Sequence, residues 1–213
     1  MSGGGSFGAY EAGVLYGLVK NAKNEKDFQW DVMSGVSAGS MNSVAGVLWE
    51  KGTESDMVEW LSQTWANVTT TDVYDDWEPN GVVTGILTQS GIFNDTPGYE
   101  FVKRIVKSGG SVTHRMLEAA CTDANTGHYI TFNETVELAY AAISSSSIPA
   151  AFPSRKWSNY EGKDVVCVDG GAVWNINTPT AIQRCREEGF EDKNIIVDIV
   201  LCNGAVEQKV EWS

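Results

Sequence analysis

The sequence predicts an α/β protein of three layers, α/β/α, around a mainly parallel central sheet, and three observations carry that expectation. Apolar strand-like runs alternate with helical periodicities along the chain, the pattern of units whose crossover helices cover both faces of a sheet. The 213 residues, 42% hydrophobic and 20% charged, suffice for one substantial core and a single domain over 1–213. No apolar run approaches the ~20 residues that cross a bilayer, and no basic segment followed by an apolar one opens the chain. The expectation is a cytoplasmic or peripherally membrane-associated protein, unless a targeting signal is missing with the N-terminus.

The elements follow in order. A helix is expected over about Ala9 to Asn21, where Tyr10, Val14, Leu15, Leu18 and Val19 recur at helical spacing. A strand at Asp31 to Ser34 leads into a helix from Ala38 to Glu50 carrying Met41, Val44, Val47 and Leu48, and a further helix spans Ser55 to Ala66. Thr69 to Gly91, rich in Asp, Gly and Thr, reads as an insertion or lid-like loop. Beyond it come a helix at Pro97 to Lys107, strands at Met116 to Cys121 and Tyr129 to Phe132, and a helix at Val136 to Ile143. A strand at Val165 to Val168, a helix at Thr178 to Glu188 and a strand at Ile195 to Leu201 complete the series.

Three segments carry chemistry. Gly35-Val36-Ser37-Ala38-Gly39 sits where a strand gives way to a helix, the corner that pushes a serine hydroxyl out of a sheet edge, with flanking glycines removing the Cβ atoms that would clash. Five such residues also describe an ordinary turn capping a helix, so context decides. Gly3-Gly4-Gly5-Ser6-Phe7-Gly8 runs directly into a helical pattern, placing unhindered N–H groups before the positive end of a helix dipole, where an anion can be cradled. Val165 to Val168 delivers Asp169-Gly170-Gly171 to a strand's carboxyl end, where α/β sheets place their chemistry.

Glycine loop, serine elbow and Asp-Gly-Gly, in that order, resemble the patatin-like phospholipases. Ala142 to Pro153 is similar to that family's Ser/Ala-Ile-Pro-x-x-Phe-Pro segment, and Asp169 to Pro179 to its Asp-Gly-Gly-x-x-x-Asn-x-Pro stretch with one residue inserted before the proline. Cys121 to Gly127 resembles the family's strand and turn ahead of the catalytic helix pair. The resemblance implies Ser37 as nucleophile and Asp169 as its base in a dyad, with backbone N–H groups of Gly3, Gly4, Gly5 and Ala38 forming an oxyanion hole. It implies no metal and no cofactor, and a phospholipid or other acyl ester as substrate.

Two departures stand out. The family carries Arg or Lys where Phe7 stands, and an apolar strand where only Met1 and Ser2 precede the glycine loop. Either Met1 is not the true start or the sheet lacks its first strand; a fragment of a longer chain is favoured, since three glycines without an anchoring strand would cost too much backbone entropy to stay ordered. The dyad has support outside the resemblance. Both histidines, His114 and His128, precede Asp169, whereas a hydrolase of the α/β type needs Ser, acid and His in that order. His114 lies beside Arg115 in a basic stretch read as surface, and His128 follows a hairpin turn signal at Asn125-Thr126-Gly127. A partly desolvated aspartate is basic enough to take the serine proton itself.

A formal net charge of −13 excludes nucleic acid as a partner and weighs against anionic lipid surfaces. Membrane contact would fall to apolar side chains at the rim, with Trp157, Phe152 and Tyr160 as candidates unless these rings simply cover the sheet. The acidic residues Asp72, Asp75, Asp76 and Glu78 read as a solvated face. Four cysteines lack metal spacing, and Cys167 and Cys202 read as small hydrophobes in buried strands, which points to a reducing compartment. Three Asn-x-Thr sequons, at Asn67, Asn94 and Asn133, argue weakly the other way.

Three functions compete on this reading: a lipid acyl hydrolase, a catalytically weak or inactive subunit of the same fold with a structural or lipid-binding role, and an esterase or thioesterase on soluble acyl esters. Intact Ser37 and Asp169 favour the enzymes.

Overall fold

Five strands form one mixed sheet in the computed structural model, which describes residues 1–109 and 113–202. β1 (Val32–Val36), β2 (Met116–Asp123), β5 (Lys163–Asp169) and β4 (Arg155–Tyr160) lie in that order, and β3 (Tyr129–Phe132) pairs with β2 off this path. Only the β1 and β2 pair is parallel; the other three pairings are antiparallel. The expectation of a mainly parallel sheet is thereby corrected. For two of these pairings the cause is connection length, since β2 reaches β3 through a turn over residues 124–128, and β4 reaches β5 through Glu161 and Gly162, both at positive φ. Neither link has room for a crossover helix.

The main helices stand close to where the periodicity places them. They are α1 (Gly8–Lys20), α2 (Ala38–Val47), α3 (Glu54–Asn67), α6 (Thr96–Ser108), α7 (Leu138–Ser145) and α8 (Thr178–Glu187). The loop expected over Thr69 to Gly91 instead holds two short helices, α4 (Thr70–Val73) and α5 (Val82–Thr88). β4 is an unexpected strand; its polar sequence, Arg155-Lys156-Trp157-Ser158-Asn159-Tyr160, suits one half-exposed face more than a buried run. The strand expected at Ile195 to Leu201 forms no ladder. Its link to the sheet edge is the Ser2 N–H bond to the Val200 carbonyl (3.1 Å), and beside β1 the Met1 carbonyl accepts from Val36 N–H (3.3 Å).

The core lies between the sheet and the helices. α2 is buried almost all round, which its small residues Gly39, Ser40, Ser43, Ala45 and Gly46 permit, and Val44 and Val47 pack with Leu117, Met57 and Leu61. Phe132 of β3 stacks on Trp157 with centroids 4.3 Å apart, and Tyr160 meets it edge-on at 5.0 Å. Trp157 and Tyr160 are partly buried against the core, and Phe152 packs on Tyr74 with ring centroids 5.6 Å apart. Arg115 also differs from the surface reading. It is buried, pairs with Glu54 at 2.6 Å and donates to the carbonyls of Trp30, Trp49 and Glu50. Cys167 is no free thiol: it is disulfide-bonded to Cys121 across β2 and β5, with Cα atoms 5.6 Å apart.

Candidate active site

Register alone brings the elbow and the aspartate together. Val36 lies opposite Ala120 and Asp169 opposite Cys121, so the carboxyl ends of β1 and β5 converge on adjacent residues of β2. Ser37 follows at once, with φ 53° and ψ −123°, a backbone conformation that L-residues adopt only when their surroundings impose it. The surroundings here are tight: a Cβ on Gly35 would lie 2.0 Å from the Gly39 carbonyl oxygen, and one on Gly39 would lie 2.6 Å from that of Ser2. The Ser37 N–H donates to Ser145 Oγ at 2.9 Å, Ser145 in turn donates to the Ala120 carbonyl, and Ser40 Oγ donates to the Ser37 carbonyl at 2.7 Å. The strained residue is thus held from β2, from α7 and from its own helix.

Asp169 ends β5 and is 7% exposed. Burial raises its pKa, while the Ser37 side chain facing it and the Gly171 N–H, which donates to Oδ1 at 2.8 Å, favour the ionised form. The outcome is a carboxylate more basic than an exposed one. Tyr129 lies near enough for the Asp169 charge, second to burial, to push its phenol pKa up, and its hydroxyl donates to the Trp174 carbonyl at 3.0 Å.

The glycine loop packs on the same centre, since a Cβ on Gly3 would come within 3.0 Å of Ser37 Cβ. Asn175, from the segment after Asp169, accepts from Gly3 N–H at 3.2 Å and returns its Nδ2 to the Gly3 carbonyl at 2.9 Å. The Gly3 N–H is therefore spent on protein, which removes it from the expected oxyanion donors. Gly4 and Gly5 N–H find no acceptor among the described residues, and Ala38 supplies the first N–H of α2. Side chains add to the backbone anchors of Met1, Ser2 and Gly3. Glu11 of α1, 0% exposed, accepts from Ser2 N–H at 2.7 Å and from Asn42 Nδ2 at 3.1 Å, and Asn42 Oδ1 accepts from Trp65 Nε1 at 2.7 Å.

His114 and His128 are exposed, the latter in the turn between β2 and β3. Phe7 is 59% exposed beside the loop, with the similarly uncharged Val173 and Trp174 exposed after Asp169. The sequence reading missed Glu11, Asn42, Trp65 and Ser145, and it named Asn175 only as the Asn of the Asp-Gly-Gly-x-x-x-Asn-x-Pro stretch, with no role. Glu11 left a signal, being the only acidic residue of a largely apolar helix; Asn42, Trp65 and Ser145 sit among many residues of the same kinds.

No curated protein matches the chain. The family model for patatin-like phospholipase matches residues 1–182 of its 213. With the α/β architecture and mixed sheet already described, that match places the chain in the patatin-like phospholipase family, whose fold is α/β/α.

Proposed function

We propose that this protein hydrolyses acyl esters of glycerophospholipids or related lipids, with Ser37 as nucleophile and Asp169 as its base. Family membership supports lipid acyl hydrolysis as the reaction class. The assignment of roles rests above all on one observation: a serine held at φ 53° on a strand-to-helix corner, its side chain facing a buried aspartate of raised pKa.

Asp169 accepts the Ser37 hydroxyl proton as Oγ attacks the ester carbonyl carbon. The carbonyl oxygen becomes an oxyanion, for which Gly4, Gly5 and Ala38 supply N–H donors at the positive end of α2. Collapse breaks the bond to the alcohol oxygen, which leaves with the proton from Asp169, and Ser37 keeps the acyl group. Water then gives a proton to Asp169 and attacks the acyl-enzyme, and the returning proton regenerates Ser37.

Hydrolysis of lipid vesicles and of a short-chain soluble ester, by wild type, Ser37→Ala and Asp169→Asn, tests the reading. Turnover by wild type and its loss in both variants is expected. Wild-type rates in either variant would overturn the assignment, and turnover confined to the soluble ester would favour an esterase. A wild type that turns over neither ester would favour a non-catalytic subunit.

A further inference from the structure

α5 wears its apolar face outward. Val82, Val83, Ile86 and Leu87 are 39%, 55%, 66% and 75% exposed, while Gly85 is its buried residue. At 3.6 residues per turn the four aliphatic side chains share an arc of about 140°. The opposite side is seated on backbone: a Cβ on Gly85 would come within 2.6 Å of the Ile92 carbonyl oxygen and 2.8 Å of that of Gly91. A surface helix ordinarily turns its polar side to water, so this inversion marks a surface that meets something other than water.

Charge and position identify what. Residues 80–94 contain no charged side chain, in a chain that is 20% charged overall. The segment behind α5 donates from Ile92 and Phe93 N–H to the carbonyls of Ala150 and Ala151, and Ser147, just upstream, accepts from the Asp169 N–H at 2.8 Å. The helix is therefore tied by backbone to the candidate site. Asp75, Asp76 and Glu78 precede it, with Asp76 Cβ 3.7 Å from where a Gly81 Cβ would stand, and the chain carries a formal charge of −13. That field repels anionic headgroups and leaves neutral ones unopposed. We propose that α5 docks the protein on an electrically neutral phospholipid surface, with Val83, Ile86 and Leu87 entering the apolar zone beneath the headgroups. The docking needs no turnover; its service to catalysis rests on the function proposed above.

Flotation with dioleoylphosphatidylcholine vesicles, run in a Ser37→Ala background, reads binding without hydrolysis. The parent should float with the vesicles, and Ile86→Asp with Leu87→Asp should weaken partition at least tenfold, while the same pair in active enzyme leaves soluble-ester turnover unchanged. Leu87→Trp keeps a large interfacial side chain and should bind at least as well as the parent. Absent binding by the parent, undiminished binding by the double variant, loss in Leu87→Trp, or binding that grows with phosphatidylserine content would overturn the proposal. So would a parent that is dimeric by light scattering, a monomeric double variant and no vesicle binding by either, since α5 would then join two copies. An inactive wild type that still floats would overturn the hydrolytic reading alone.

Discussion

Asn175 and Gly3 exchange two hydrogen bonds, N–H to carbonyl at 3.2 Å and Nδ2 to carbonyl at 2.9 Å, and so lock the loop before α1 to the segment after β5. The side-chain half of this clasp is removable. Asn175→Ala should let the loop drift from Ser37 and lower kcat by about 10- to 100-fold with little change in KM, since small misplacements of donors are costly. Steady-state kinetics on a soluble ester check this, with thermal unfolding as control; a loss matched in KM would point to binding instead.

Glu11 must be an acceptor at both oxygens. Ser2 N–H and Asn42 Nδ2 both donate to it, and Asn42 cannot turn over because its Oδ1 already serves Trp65. Glu11→Gln aims an NH2 group at one of these donors. A buried mismatch of this kind costs about 1–3 kcal/mol, and Tm should fall by roughly 2–4 °C per kcal/mol for a chain of this size. Calorimetry decides the matter, and an unchanged Tm would show that the network carries no stability.

Glu118 gives stability an acid-favouring trend. Burial is the main cause that lifts its pKa to about 7; Arg184 opposes the shift, while Glu134 and Glu187 add to it. The folded state then holds a proton that the unfolded chain releases near the ordinary 4.5. Stability from this group is present below that value and is lost as pH rises to about 7. Glu118→Gln should flatten that portion of the stability curve, as denaturant titrations at several pH values between 4.5 and 8 would reveal.

Phe7 stands at 59% exposure where the family resemblance calls for a cation, and it cannot pair with an anionic headgroup. Neutral or zwitterionic lipids should be hydrolysed at least as well as anionic ones, and Phe7→Arg should shift the ratio toward anionic vesicles. Rates on phosphatidylcholine and phosphatidylglycerol vesicles measure it; an unchanged ratio would leave Phe7 without a part in substrate choice.

Most helices were legible because their periodicity is written locally: α2 and α6 begin and end within a few residues of the expected bounds. The elbow and the Asp-Gly-Gly turn were legible for the same reason. Strand direction was not, since it depends on how long each connection is and on what lies between, and so β2 to β5 read as more parallel than they are. The role of Asn175, visible only as part of a motif, and the whole of Glu11 escaped notice because their partners, Gly3 and Asn42, are far away in sequence. The exposed face of α5 was hidden for another reason: Val82, Val83, Ile86 and Leu87 look like core residues until the fold shows which side Gly85 takes.

The meeting of β1 and β5 on neighbouring residues of β2 divides the chain by its tolerance of change. Ser37 and Asp169 keep their spacing through rungs of a ladder, so one inserted residue inside β2 would move a partner by about 3.3 Å and turn its face. An insertion between α3 and α6 leaves every rung in place. A change of length within that stretch therefore leaves Ser37 and Asp169 at the same separation, whatever it does to the surface above them.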